Sequence, residues 1–279
     1  MNSGIMVAPN GARLQHEEHE ALPLITEDIV NTTLQCQNSG ANAIHLHVRD
    51  DTFKHVLDVK RYEKTIAAIQ SKCNKDFIVQ TTTEAVGMYE PQEMISLIKQ
   101  LKPQATSVAI KELLPSTENK IELDNAKLFY KFSREENIGV QHILYSSDDL
   151  KRFHKLLEQE IITGEKHSIL FVLGRYAKGQ RCETSDLIPF LETLKNLKLE
   201  SSVHWMLCAF GEMEIPSLVA ASILGGHCRI GFENSRVLPN GTKAKNNASQ
   251  VEYLKQQLDA LNIGSLQSSD MREVLGIFK

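Results

Sequence analysis

Short apolar runs recur along the chain, and between them apolar residues fall at helical spacing on otherwise polar stretches. Eight such runs are expected to be strands: Ile5 to Ala8, Ala43 to Val48, Phe77 to Val79, Thr106 to Ile110, Gly139 to Leu144, Ser168 to Leu173, Ser202 to Cys208 and Cys228 to Ile230. Helical patterns follow each of them. The first is expected to start at a Thr26 cap with Glu27 and Asp28 in its first turn and to stop before Gly40. The others are expected at Val59 to Ser71, Pro91 to Leu101, Asn125 to Glu136, from about Asp148, at Ser185 to Leu197, Ile215 to Leu224 and Ala248 to Leu261. Ser269 to Leu275 is expected to form a terminal cap.

Eight strand-helix units of about 35 residues each are the count for a (β/α)8 TIM barrel, which typically runs to about 250 residues. No composition shift marks a second domain, so residues 1–279 are expected to form one α/β barrel closed by a short C-terminal capping helix. A doubly wound open sheet would want a glycine-rich phosphate turn after the first strand, and Asn10-Gly11-Ala12 is not one.

Charge and cysteine usage narrow the partners. Lys+Arg 31 against Asp+Glu 35 gives a net charge of −4 with no basic run, which disfavours nucleic acid and anionic membranes. The N-terminal residues carry no signal-peptide pattern, and no apolar run approaches membrane-spanning length, so a cytoplasmic protein is expected. Cys36, Cys73, Cys182, Cys208 and Cys228 are scattered without a Cys-x-x-Cys pair and read as reduced core residues.

Candidate chemistry concentrates in Asn42-Ala-Ile-His-Leu-His-Val-Arg-Asp50. Strand alternation puts His45, His47 and Arg49 on one face and Ile44, Leu46 and Val48 on the other. The two histidine Cα atoms then lie about 6.5 Å apart, so both rings can reach one metal ion at about 2.1 Å. The alternative is a pair of hydrogen-bonded barrel histidines. Catalytic groups of such barrels sit at the C-terminal strand ends, where this chain places Thr82, Glu84, Ser107, Lys111, His142, Tyr145, Arg175, Arg229 and Glu233. Glu233 is the best third ligand, the alternative being a partner for Arg229 or Arg236. Asp50 and Asp51 suit the loop better than a metal. His142, His204 and His227 suit core or supporting roles, and His16 and His19 lie in a charged segment expected to be exposed.

These residues carry a resemblance. Gly40-Ala-x-x-Ile-His-Leu-His-Val-Arg-Asp50, Gly225-Gly-His-x-Arg-Ile-Gly-Phe-Glu233 and Pro9-Asn-Gly-Ala12 together resemble the β-keto acid cleavage enzymes, a family that includes the 3-keto-5-aminohexanoate cleavage enzyme. The resemblance implies a zinc-dependent barrel, usually a homotetramer, that condenses a β-keto acid with acetyl-CoA to give acetoacetate and a new acyl-CoA. It also implies Zn2+ held by His45, His47 and Glu233, with Arg229 at the reacting centre and Thr82 and Ser107 as carboxylate binders.

Two departures matter. The family pattern often follows the metal glutamate with an aspartate base, and here that position is Asn234, whose amide cannot take a proton at neutral pH. Either Glu84, Glu112 or metal-bound water then serves, or the zinc-bound keto acid reacts by another route. Members acting on amino-bearing substrates place acids after the first and fifth strands, where this chain has Arg13 and Tyr145, so a cationic substrate is disfavoured. Two other readings stand beside this one. A metal-dependent hydrolase of the amidohydrolase kind also uses His-x-His, though on the first strand. A non-catalytic metal- or ligand-binding barrel would account for Asn234.

Overall fold

In the computed structural model, which describes residues 1–278, the eight expected strands hydrogen-bond in parallel and close on themselves. A two-residue strand β1 (Asn2–Ser3) comes first. The barrel strands are β2 (Ile5–Val7), β3 (Ala43–Leu46), β4 (Ile78–Thr82), β5 (Ala105–Ala109), β6 (Gly139–Leu144), β7 (His167–Leu173), β8 (Val203–Ala209) and β9 (His227–Ile230). Strand β9 pairs with β2 and completes the ring. Strand β10 (Gly264–Ser265) lies outside it and pairs with β1.

Helices α1 (Thr26–Asn38), α2 (Val59–Lys72) and α3 (Pro91–Leu101) cover the first three turns of the barrel. A four-residue α4 (Ile110–Leu113) then precedes α5 (Lys120–Glu135). The ring continues with α6 (Ser147–Glu158), α7 (Ile188–Asn196) behind a 3-10 turn at Thr184–Leu187, α8 (Glu214–Ile223) and α9 (Asn247–Ala260). Local chemistry explains the sharpest boundary. Pro91 occupies the first turn of α3, where its missing N–H is no loss, and Glu90 and Glu93 cap each other's backbone. Thr26 is not the cap of α1. Ile25 holds that position without a side-chain bond, and the Thr26 hydroxyl instead meets Thr65 of α2 at 2.9 Å.

Parity along the strands sorts the core into two shells. Ile44, Leu46 and Val48 join Tyr62, Met94, Phe129 and Leu254 between barrel and helices. Met6, Ala43, Ile78, Ala105, Leu170, Met206 and Cys208 fill the interior. The interior is sealed at the N-terminal strand ends by α10 (Ser268–Val274), whose Met271 and Val274 pack into it with Leu275 and Ile277. A Cβ added at Gly4 would lie 2.6 Å from Met271 Sδ, and one at Gly139 would lie 2.4 Å from the Leu275 carbonyl. The plug therefore presses on the strand starts.

His142 of β6 belongs to the outer shell. Its ring lies 5.5 Å from that of Tyr130 and 4.9 Å from that of Phe153, and its Nδ1 faces the Ser168 carbonyl at 3.0 Å. Burial pushes its pKa down to about 3. The unfolded chain then binds a proton below about pH 6.5 that the folded chain refuses, so the contribution is present above that pH and lost as pH falls. His142 alone is expected to remove about 2 kcal/mol of stability by pH 5. Unfolding free energies at pH 7.5 and 5.0 should show a drop smaller by that amount in His142→Phe. Equal drops in variant and wild type would contradict the assignment.

Candidate active site

Strand β3 ends at Leu46, so His45 within it and His47 one residue beyond it both stand at the C-terminal mouth of the barrel. His45 and His47 are 1% and 0% exposed, and their Nε2 atoms lie 3.1 Å apart. Glu233 comes from the far side of the closure, three residues beyond β9. Two glycines let it return over the mouth. Gly231 has φ of 141° and would otherwise place a Cβ 2.5 Å from the Ala8 carbonyl, while Gly11, at φ of 57°, would place one 2.6 Å from Glu233 Cγ. Glu233 Oε2 then sits 3.8 Å from His45 Nε2 and 3.5 Å from His47 Nε2.

That triangle tests whether a metal fits. Tetrahedral bonds of about 2.1 Å set neighbouring ligand atoms about 3.4 Å apart, and the three separations here bracket that value. Glu233 Oε1 accepts a hydrogen bond from Arg229 Nη2 at 2.7 Å, but the buried Oε2 accepts no hydrogen bond from the described residues. The metal reading and the Arg229 reading of Glu233 thus use different oxygens of one carboxylate. Electrostatics suit the same donors. Burial, then Arg229, pushes His45 down to about 4, and burial holds His47 well below its ordinary value, so both rings are neutral with a lone pair to give. Burial would raise Glu233, but Arg229 and the two imidazoles hold its carboxyl well below the usual range. Among the described residues these three form the candidate cluster, with ligand atoms all within 4.8 Å of one another.

Beside the cluster opens a small cavity of about 30 Å³. His45 and Glu233 line it together with Thr82, Glu84, Ser107, Tyr145 and Arg229. Thr82 Oγ1 accepts from the Glu84 N–H at 3.0 Å, and the buried Ser107 Oγ has no partner among the described residues. Burial, then Glu233, pushes the Glu84 carboxyl upward against the pull of Arg175 and Arg13. Arg13 and Arg175 each place an Nη2 3.4 Å from Glu84 Oε1. Arg13 is half exposed and lines an adjoining cavity that shares Glu84, Arg175 and Glu233 with the first. Asn234 is 4% exposed, lines neither cavity, and has no partner for its Oδ1 or Nδ2 among the described residues.

Other residues fall elsewhere than their local sequence suggests. The guanidinium of Arg49 leaves the histidine face and donates to the carbonyls of Asn10, Gly11, Ala12 and Leu14, pinning the loop that carries Gly11. His19 is buried, not exposed, with Nε2 2.8 Å from the Ala244 carbonyl and its ring 4.1 Å from that of Phe232. Asp50 accepts from Thr52 and Lys54 within its own loop. Phe210 also lines the cavity, with the Arg175 guanidinium 5.4 Å from its ring. An aromatic residue directly after β8 was the only local signal for it. Lys111 Nζ lies 4.1 Å and 3.9 Å from the ring centres of Tyr145 and Tyr176.

Comparison with known proteins agrees with this architecture. The chain is 27% identical to the 3-keto-5-aminohexanoate cleavage enzyme of Acetoanaerobium sticklandii, over 99% of this chain and 98% of that protein. It is 25% identical to the 3-oxoadipate:acetyl-CoA acetyltransferase of Cupriavidus necator, over 90% and 86%. Among solved structures, the ternary complex of ObcA with C4-CoA adduct and oxalate shares the fold at a TM-score of 0.72 and 15% identity, covering 92% of this chain and 67% of that one. No described helix is long and apolar enough to cross a membrane. Residues 4–277 match the model of the beta-keto acid cleavage enzymes, and the chain belongs to that family of carbon-carbon bond cleaving, acyl-transferring enzymes.

Proposed function

We propose that this chain is a zinc-dependent β-keto acid cleavage enzyme that takes acetyl-CoA and a β-keto acid to acetoacetate and a new acyl-CoA. The observation that carries the reading is the meeting of His45, His47 and Glu233 at metal-ligand spacing beside a cavity lined by Arg229, Thr82 and Ser107. Zinc bound there would supply Lewis-acid polarisation of the keto oxygen. The rest falls to the chain's own groups. The hydroxyls of Thr82 and Ser107 donate to the substrate carboxylate, Arg229 holds Glu233 in place, and Glu84 takes the proton from the carbon between the two carbonyls and returns it to that carbon when the original carbon-carbon bond breaks. Atoms balance across the exchange: the keto acid gives up its acyl group to CoA, and the acetyl group takes its place on the two-carbon remainder. The family resemblance supports a homotetramer. Incubating the purified, zinc-loaded protein with acetyl-CoA and a panel of β-keto acids tests the reading. Acetoacetate and one new acyl-CoA are expected in equal amounts, and no exchange with any panel member would overturn it.

Charge at the cavities narrows the substrate. Arg13, Arg175, Arg229 and Arg236 stand against Glu84, Glu112 and Glu233, so an ammonium at the far end of the substrate meets an excess of like charge before any metal is counted. The 3-oxoadipate named for the Cupriavidus necator relative is a dicarboxylate. A keto acid with an anionic or apolar far end is expected to show at least a tenfold higher kcat/KM than its amino-bearing counterpart, and the reverse order in steady-state kinetics would sink this part of the proposal.

A further inference from the structure

A continuous line of side chains crosses the barrel interior beneath the candidate metal cluster. His45 Nδ1 lies 2.7 Å from Gln80 Oε1, Gln80 Nε2 lies 3.1 Å from Gln141 Oε1, and Gln141 Nε2 lies 3.2 Å from Ser168 Oγ. Ser168 Oγ then donates to the Val274 carbonyl, at the last residue of α10. Gln80, Gln141 and Ser168 are all fully buried. Strand β5, between the strands of the two glutamines, presents the small Ala105 to the interior, which leaves room for the amides to meet.

The far end fixes the direction of the whole line. A main-chain carbonyl can only accept, so the Ser168 hydroxyl must donate to Val274 and can take its next bond only from an N–H. Gln141 must then offer Nε2 to Ser168 and Oε1 to Gln80. Gln80 in turn offers Nε2 to Gln141 and Oε1 to His45. Turning either amide over would set oxygen against oxygen or N–H against N–H in a buried place, where an unmade bond is costly. His45 is left with its hydrogen on Nδ1 and its lone pair on Nε2, the atom that faces His47 and Glu233.

We propose that Gln80, Gln141 and Ser168 are positioning residues, a one-way hydrogen-bond chain that locks His45 in the Nδ1–H tautomer and ties that choice to the C-terminal plug. The proposal rests on reading His45, His47 and Glu233 as a metal site, and it deepens that reading. Metal-binding histidines depend on the partner of their other ring nitrogen, and loss of such a partner typically costs about 10- to 100-fold in metal affinity. Here the partner is held by residues that reach the opposite end of the barrel. The C-terminal segment is thereby part of the metal site while touching none of it.

The test uses full-length protein labelled with [15N]histidine. Metal is removed with a chelator, and long-range proton-nitrogen correlation at pH 8 reports the tautomer, with the His45 signals identified by their loss in His45→Gln. The wild type is expected to show His45 wholly as the Nδ1–H form. Gln141→Leu and Ser168→Ala should each admit the Nε2–H form and raise the Zn2+ dissociation constant, read by chelator competition, by about 10- to 100-fold. Gln141→Glu is expected to restore both readouts, because a neutral buried acid offers an oxygen to Gln80 and an O–H to Ser168. A residue with only a packing role would lower the melting temperature without moving the tautomer. Ser168→Ala removes a single oxygen and keeps the test open if Gln141→Leu does not fold. An unchanged tautomer with Zn2+ affinity within twofold of wild type in folded Ser168→Ala would overturn the proposal. A tautomer that responds in a wild-type background that binds no Zn2+ would support the chain and remove the metal reading instead.

Discussion

Replacing His47 with alanine is expected to empty the metal site and to lower acetyl-CoA exchange by about 10³-fold or more. Lewis-acid polarisation contributes several kcal/mol to such reactions, and each 1.36 kcal/mol is tenfold in rate. The ring of His47 is fully buried, 3.1 Å from one proposed ligand and 3.5 Å from the other. Nothing nearby can replace it. His55 is the nearest other imidazole, with ring centres 5.2 Å apart, but its Nε2 is bound to the Glu84 carbonyl at 3.0 Å. The two remaining ligands would leave Glu233 paired with Arg229 through Oε1 and its Oε2 opposite a single histidine. Elemental analysis and exchange kinetics on the same preparation check this. Metal kept at wild-type stoichiometry and affinity in His47→Ala would remove His47 from the site.

The barrel was legible because its strands and helices carry their own signals, and α3 runs from Pro91 to Leu101 as its proline and its apolar spacing dictate. The cluster was legible for a different reason. Parity on β3 needs only local sequence, and ring closure brings β9 beside β2, so a carboxylate just past β9 had to arrive near the histidines. Parity misled where regular strand stopped. Arg49 lies three residues past the end of β3, and loop carbonyls rather than alternation decide where its guanidinium goes. Tertiary contacts misled at His19, whose neighbours Glu17, Glu18 and Glu20 look like a solvated face while the imidazole itself is buried against Phe232. The four residues of α4 gave too short a pattern to separate from the end of β5. Gln80 and Gln141 carry no local signal, because a lone glutamine in an apolar strand shows its purpose only when the second one lies 3.1 Å away inside the barrel.

The assignment of the base carries the second large effect. Glu84→Gln is expected to lower kcat by about 10² to 10⁴, the usual contribution of a general base, while metal content stays at the wild-type level because Glu84 lies outside the ligand triangle. Glu84 lines the cavity, and burial and the neighbouring Glu233 push its carboxyl up toward the range where a base is both deprotonated and effective. Arg13 and Arg175, each 3.4 Å away, keep the anion from being abandoned altogether. A raised carboxyl gains its charge later as pH climbs, so the rate should rise through a limb set above the ordinary glutamate value of about 4.3 and that limb should vanish in the variant. Asn234 lines neither cavity, and its amide cannot take up a proton at neutral pH. Asn234→Asp should therefore leave the exchange rate within about tenfold of wild type across the pH series. Two results would undo this assignment: Glu84→Gln turning over within tenfold of wild type, or Asn234→Asp running a hundredfold faster than it. The second would mean that the native barrel holds its metal and substrate without a working base, and a binding function would then fit the chain better than catalysis.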